Sequence, residues 1–137
     1  MNNNNKFFIN GKWIEPNSKD TLSVINPATE EVICDISLGN QSDLDIAVAA
    51  AKDAFINYSK SSKEDRLNIL ERIILSYKKR INDLSNAVTI EMGAPKALAE
   101  KAQVPSGLGH FMQAKKMLEN FSFEKGVNSS IVQKEPI

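Results

Sequence analysis

The sequence predicts a mixed α/β chain, α+β within its 137 residues: two N-terminal β-hairpins, three amphipathic helices and a final strand. Three observations predict it. Asn10-Gly11 stands between two short runs of β-formers, and a type I′ turn needs positive φ at both central residues. From Ser42 the apolar period changes from about 2 residues to about 3.6. Met92-Gly93-Ala94-Pro95 then supplies a left-handed stop and a proline start inside the helical part.

In order, Asn2 to Asn5 reads as a frayed polar tail, and residues 6–137 as one unit. Lys6 to Ile9 and Lys12 to Glu15 flank the Asn-Gly turn as strands, and Pro16 closes the second. Asn17 to Asp20 is a loop. Thr21 to Ile25 alternates polar and apolar residues, Asn26 to Glu31 turns the chain, and Val32 to Ser37 returns as a fourth strand. Ser42, with Asp45 three residues on, resembles a capping box for the first helix. Its apolar face is Leu44, Ala47, Val48, Ala51, Phe55 and Tyr58. Ser59 to Ser62 breaks that pattern. Glu64 and Asp65 open the next helix, where the macrodipole favours negative charge. Leu67, Leu70, Ile74, Tyr77, Ile81, Leu84 and Val88 then draw a stripe about 30 Å long on one long helix, bent near Lys79–Asn82. The third helical stretch runs from Pro95 to Phe121, with Leu98, Ala102, Leu108, Phe111, Ala114, Leu118 and Phe121 on its apolar side. Pro105 removes one backbone hydrogen bond there, so a kink or break is expected near Gln103–Gly107. Residues 123–128 read as polar connection, and Ser129 to Lys134 as one more strand.

Composition narrows the function. At 42% hydrophobic and 25% charged residues, the chain lies near the globular average, not in the disordered or fibrous classes. Seventeen basic residues balance seventeen acidic ones, leaving no net field to gather nucleic acid or an anionic membrane. Charge is uneven along the chain: residues 60–80 hold seven Lys/Arg against three Asp/Glu, and residues 28–55 one against six. Those segments read as complementary solvated faces, with a basic docking patch as the other reading. A single cysteine excludes an internal disulfide, and a single histidine excludes a multi-histidine metal site. The Met-Asn-Asn-Asn-Asn-Lys start has no apolar leader segment, and apolar runs such as Ile73-Ile74-Leu75 are too short to span a bilayer. The expected compartment is the cytoplasm.

No catalytic constellation assembles from these side chains. Cys34 stands in a strand with no basic neighbour and no helix N-terminus to activate it, so it reads as a small buried residue. His110 has no carboxylate at helical spacing; it reads as a packing or surface residue, or as lining a ligand channel. Glu30 and Glu31 are adjacent in a turn, where their carboxylates splay instead of converging. Ser106-Gly107-Leu108-Gly109 follows no strand and lacks a Gly-Lys-Ser/Thr, so it is not a phosphate loop. Met112 and Met117 read as core filler.

The order of the pieces carries a resemblance. Phe8-Ile9-Asn10-Gly11-Lys12-Trp13, Val24-Ile25-Asn26-Pro27-Ala28-Thr29-Glu30-Glu31-Val32-Ile33 and Ala47 to Phe55 stand in that order. Arg66-Leu67 to Leu70, Glu91-Met92-Gly93-Ala94-Pro95 and Val132 to Pro136 come after them. Together they resemble the N-terminal part of the aldehyde dehydrogenase superfamily over nearly the whole chain after Asn5. The resemblance implies that the chain is an incomplete portion of one such domain. In that family a cysteine nucleophile oxidises an aldehyde to a carboxylic acid through a thioester. Hydride passes to NAD or NADP, a glutamate activates water, and the enzymes form oligomers. None of those catalytic or cofactor residues falls within this chain, so neither activity nor cofactor binding is expected of it alone, and Cys34 matches the family's early strand. What the resemblance does transfer is a place on the substrate entrance for Ser106, Gly107 and His110. It also implies that the chain needs the remaining polypeptide or associates through exposed apolar helix faces. Two alternatives stay open: a free-standing interaction protein docking on dehydrogenase subunits, and a silent helical adaptor.

Overall fold

The computed structural model describes residues 3–134. Strands β1 (Phe7–Ile9) and β2 (Lys12–Ile14) pair antiparallel, with Phe8 opposite Trp13 and their rings 5.1 Å apart. Asn10 and Gly11 both have positive φ, 51° and 74°, as the Asn-Gly turn requires. Strands β3 (Thr21–Ile25) and β4 (Val32–Ser37) form the second hairpin, with a bulge between Val24 and Ile25. Asn5 is not frayed: its carbonyl accepts from Ser37 Oγ at 3.0 Å, tying the chain start to β4.

Helix α1 (Gln41–Tyr58) begins two residues before the predicted box. Asn40 is its N-cap and Asp43 the reciprocal acid, because Asp43 also reaches the loop before β3 and Asp45 does not. Helix α2 (Lys63–Lys79) is capped by the Ser62–Asp65 box. The long bent helix is in fact two. Arg80 leaves helical geometry at φ −111° and ψ 11°, and α3 (Ile81–Met92) starts afresh where a bend was expected. Gly93 ends α3 in the left-handed region at φ 65°, and Pro95 precedes the short α4 (Lys96–Leu98).

Pro105 does not break the third helical stretch, which stays helical from Lys96 to Asn120. The chain takes a wider π turn over Ala99–Gln103 and then enters α5 (Val104–Asn120). A proline ring collides with the carbonyl four residues back and has no N–H to donate; one wide turn just ahead of it absorbs both demands. Past α5, the polar connection and single strand give way to a third hairpin, β5 (Glu124–Val127) with β6 (Ser130–Gln133). Asn128, at φ 56°, makes the turn. The stretch from Glu135 to Ile137 lies outside the described residues.

Buried side chains are few and mostly small. Ile74, Ala94, Ala99 and Val104 form the apolar core, joined by Ser85, and Asp43 is buried at the start of α1. The predicted apolar face of α1 is largely open, with Leu44, Val48, Phe55 and Tyr58 exposed, whereas the stripe from Leu67 to Val88 is buried or half-buried throughout; Met112 and Met117 on α5 are exposed. The two methionines are therefore not core filler; they lie on a part of α5 that none of the described residues covers.

Candidate functional site

Helices α2 and α5 pack side by side along most of their lengths, and the specific contacts nearest the predicted site residues concentrate between them. At one end Lys63 Nζ, in the first turn of α2, donates to the carbonyls of Glu119 (2.7 Å) and Phe121 (3.0 Å) at the end of α5. Those carbonyls lack intrahelical donors, and a lysine is the natural cap for them. In the middle Lys115 meets Glu71 at 2.6 Å. This bond holds the Glu71 carboxyl below the usual carboxylate range and pushes the Lys115 ammonium above the usual lysine range. At the other end the Tyr77 hydroxyl donates to the carbonyl of Val104 at 2.9 Å, and the Tyr77 ring lies 6.0 Å from that of Phe111.

Gly107 sits beneath Tyr77. A Cβ at position 107 would overlap the Tyr77 hydroxyl and stand 3.3 Å from Cζ. Glycine costs a helix roughly 0.5–1 kcal/mol relative to alanine, so its presence in α5 needs a reason, and the close approach is that reason. Gly109, two residues on, meets nothing within 4 Å. Beside this contact an open groove of about 780 Å³ runs along α2 and α3, lined by Ile69, Ile73, Tyr77, Leu84 and Phe111, with Arg72 and Arg80 at its edges.

Ser106 and His110 lie one turn apart and exposed on α5, while Gly107 is half-buried against α2. The structure brings the first two to one face and makes the third a packing position. Cys34 belongs to a different part of the chain, opposite Val24 in the β3–β4 hairpin. It is half-buried instead of buried, because no second layer among the described residues covers that hairpin. Tyr77 was legible only as one member of an apolar stripe. The signal that could have raised it was the pair of glycines inside a helical pattern, which marks a close approach. Among the described residues, no group of three or more His, Cys, Asp or Glu side chains is placed to hold a metal ion.

A dinucleotide cradle requires a strand, a glycine turn and a free helix N-terminus. Among the described residues Gly39 is the one glycine between a strand and a helix, β4 and α1. There the helix N-terminus is already taken by the carboxylate of Asp43, and the Phe7 ring lies 3.4 Å from where a Gly39 Cβ would be. Among the described residues, no glycine turn therefore stands between a strand and a free helix N-terminus.

The fold and this helix pair match known dehydrogenases closely. The sequence model of the aldehyde dehydrogenase family matches residues 13–137. A Staphylococcus aureus protein assigned as an aldehyde dehydrogenase is 42% identical over the whole chain, which spans 29% of that relative's length. The crystal structure of aldehyde dehydrogenase from Bartonella henselae is 39% identical, with a TM-score of 0.90 over 95% of this chain and 28% of that one. A Pseudomonas syringae aldehyde dehydrogenase, solved with NAD+ and octanal, is 35% identical, with a TM-score of 0.92 over 96% of this chain and 27% of that one. The chain belongs to the aldehyde dehydrogenase family. Its hairpins and helices correspond to the N-terminal part of that family's structures.

Proposed function

We propose that the chain is a portion of an NAD(P)-dependent aldehyde dehydrogenase that oxidises an aldehyde to a carboxylic acid in the cytoplasm. One observation carries this reading: the fold matches those of the Bartonella henselae and Pseudomonas syringae enzymes over nearly all of this chain. The Pseudomonas syringae enzyme binds NAD+ and octanal, which supports NAD or NADP as cofactor and an aldehyde as substrate of the whole protein. This portion supplies neither the nucleophile, the base nor the cofactor cradle, and by itself it is inactive. Its part is to build a wall of the substrate entrance from α5, with Ser106 and His110 along it and Gly107 behind them, packed against α2. It completes its fold by covering the exposed faces of α1 and α5 with further polypeptide, in the same subunit or in an oligomer. No nucleic acid or membrane partner enters this reading.

The test has two arms. Calorimetry of the 137-residue chain with NAD and with NADP should show no saturable micromolar binding; such binding would overturn the claim that this portion lacks a cofactor site. Residues 3–134 should also replace the matching segment of the Bartonella henselae enzyme with NAD-dependent aldehyde oxidation retained. In that chimera Ser106→Phe should raise the KM for aldehyde and leave the KM for NAD in place. Equal KM values for aldehyde with and without the phenylalanine would remove Ser106 from the entrance.

A further inference from the structure

We propose that Tyr77 and Gly107 form a single lock that sets the position of α5 along α2, and that Tyr77 is thereby a positioning residue for the wall carrying Ser106 and His110. The inference rests on the reading of α5 as part of the substrate entrance. Three contacts of Tyr77 fall on one ridge of α5. Its hydroxyl donates to the Val104 carbonyl at 2.9 Å, its Oη fills the space where a Gly107 side chain would begin, and its ring meets Phe111 at 6.0 Å. Residues 104, 107 and 111 keep the helical spacing of 3 and 4, so the three contacts fix both rotation and height of the helix. Ser106 and His110 stand on the neighbouring, exposed face of the same turns. They cannot shift without moving the ridge.

The lock also has to be this strong here. Immediately before Val104 the helix passes through the π turn, and Pro105 offers no N–H to the preceding turn. The backbone on that side therefore fixes the height of α5 less firmly than an uninterrupted α-helix would. The Tyr77–Val104 bond is made at the first residue past the π turn.

The contact predicts a compensation that ordinary destabilisation does not. Gly107→Ala places a Cβ on the Tyr77 hydroxyl, so that the tyrosine leaves the Val104 carbonyl or α5 moves away. Tyr77→Phe removes that oxygen and leaves the ring carbon 3.3 Å from the new Cβ, a tight contact that a small shift relieves. The double variant should therefore be better than Gly107→Ala alone. Gly109→Ala, in open space on the same helix, serves as the control.

The experiment compares the parent, Tyr77→Phe, Gly107→Ala, the double variant and Gly109→Ala, all in the Bartonella henselae chimera. Expected are a several-fold rise in aldehyde KM for Gly107→Ala with kcat and the KM for NAD little changed, recovery of most of that rise in the double variant, and no rise for Gly109→Ala. Amide exchange on the 137-residue chain gives a second readout: the Leu108 and Phe111 amides should exchange faster in Gly107→Ala and slow again in the double variant. Absence of recovery in amide exchange overturns the lock. Recovery in amide exchange without any change in aldehyde KM overturns the positioning role. Ser106→Phe separates this from the reading beneath it. If that variant moves the aldehyde KM and the glycine–tyrosine set does not, the positioning role fails alone. If Ser106→Phe moves nothing, the entrance reading has failed and the positioning role fails with it.

Discussion

From Lys63 to Asn120 the helices hold one another through small residues brought close: Ala94, Ala99 and Ser85 are buried, and Gly107 admits Tyr77. From Asn3 to Tyr58 the only buried side chain among the described residues is an acid, Asp43, and the elements are joined by polar bonds. Asp43 Oδ1 takes the backbone N–H of Asn17 at 2.8 Å and its side-chain N–H at 2.9 Å, while Oδ2 takes the N–H of Asn40 at 3.0 Å. Close packing gives the helical part a core, however small. Polar latches give the N-terminal part geometry without much apolar burial. Its Phe8, Trp13, Leu44, Phe55 and Ile56 remain exposed. A two-stranded hairpin is marginal in water without a layer to pack on, so the two parts should differ in persistence as well as in composition.

The sharpest way to break the contrast is to delete apolar volume in each part. Ile74→Ala removes the largest of the buried apolar side chains and should cost about 2–5 kcal/mol, whereas Ile56→Ala on exposed α1 should stay within about 0.5 kcal/mol. Urea denaturation followed by circular dichroism measures both; equal losses would mean that α1 has found a partner surface. Adding volume gives a somewhat smaller effect. Ala99 is fully buried in the π turn, and Ala99→Leu should cost about 1–3 kcal/mol by overpacking, against a near-neutral Ala51→Leu on α1. Should Ala99→Leu be tolerated, the π turn would have to be a loosely packed segment.

The polar side of the comparison has its own test in acid. Hydrogen bonds from the Asn17 backbone, then from Asn40, hold the Asp43 carboxyl below its ordinary value of 3.8. A carboxyl whose folded value is depressed adds stability that is complete above 3.8 and disappears as pH falls through the lower folded value. Amide protection of Asn17 and Asn40 should therefore fall in that acid window, and Asp43→Asn should flatten the dependence. Protection that is flat down to the acid limit in the parent chain would show that the latch does not depend on ionised Asp43. The smallest expected effect is a gain: Gly109→Ala should stabilise α5 by about 0.5–1 kcal/mol, because open space lies where its side chain would go. A loss there would mean that something covers this face in solution.

Much of the fold was legible because its signals are local. Asn10-Gly11 dictated the first hairpin, Thr21 to Ile25 alternates and Val32 to Ser37 returns beside it across a turn, and Glu64 with Asp65 marked the start of α2. The cap of α1 was displaced because Asn40–Asp43 and Ser42–Asp45 share the same three-residue spacing; the choice is made by Asn17, a partner outside the helix. Pro105 announced a lost hydrogen bond but not the form the chain would give it, since break, kink and π turn all satisfy the same local rule. β5 was missed because Glu124-Lys125-Gly126-Val127 has no alternation, and its strand character comes from pairing with β6. Of the candidate site, the helical position of Ser106 and His110 was legible, but the meaning of Gly107 depended on Tyr77, which only the packed structure brings to it.

Two of the bonds that fasten α2 to α5 differ in how much chain each must close. Tyr77 reaches Val104 across 27 positions of chain, and Lys63 reaches Glu119 across 56. Closing the longer span costs roughly 0.6 kcal/mol more entropy than closing the shorter, since each doubling of loop length adds about that much. The inner contact is therefore the cheaper one to make first, with α3 and the π turn contained within its loop. Once it forms, the outer contact no longer spans a free chain, and the helices close from Tyr77 toward Lys63 like a zipper drawn from its fixed end. By loop entropy alone, the contact between α2 and α5 closes more cheaply beside the π turn than at the end of α5.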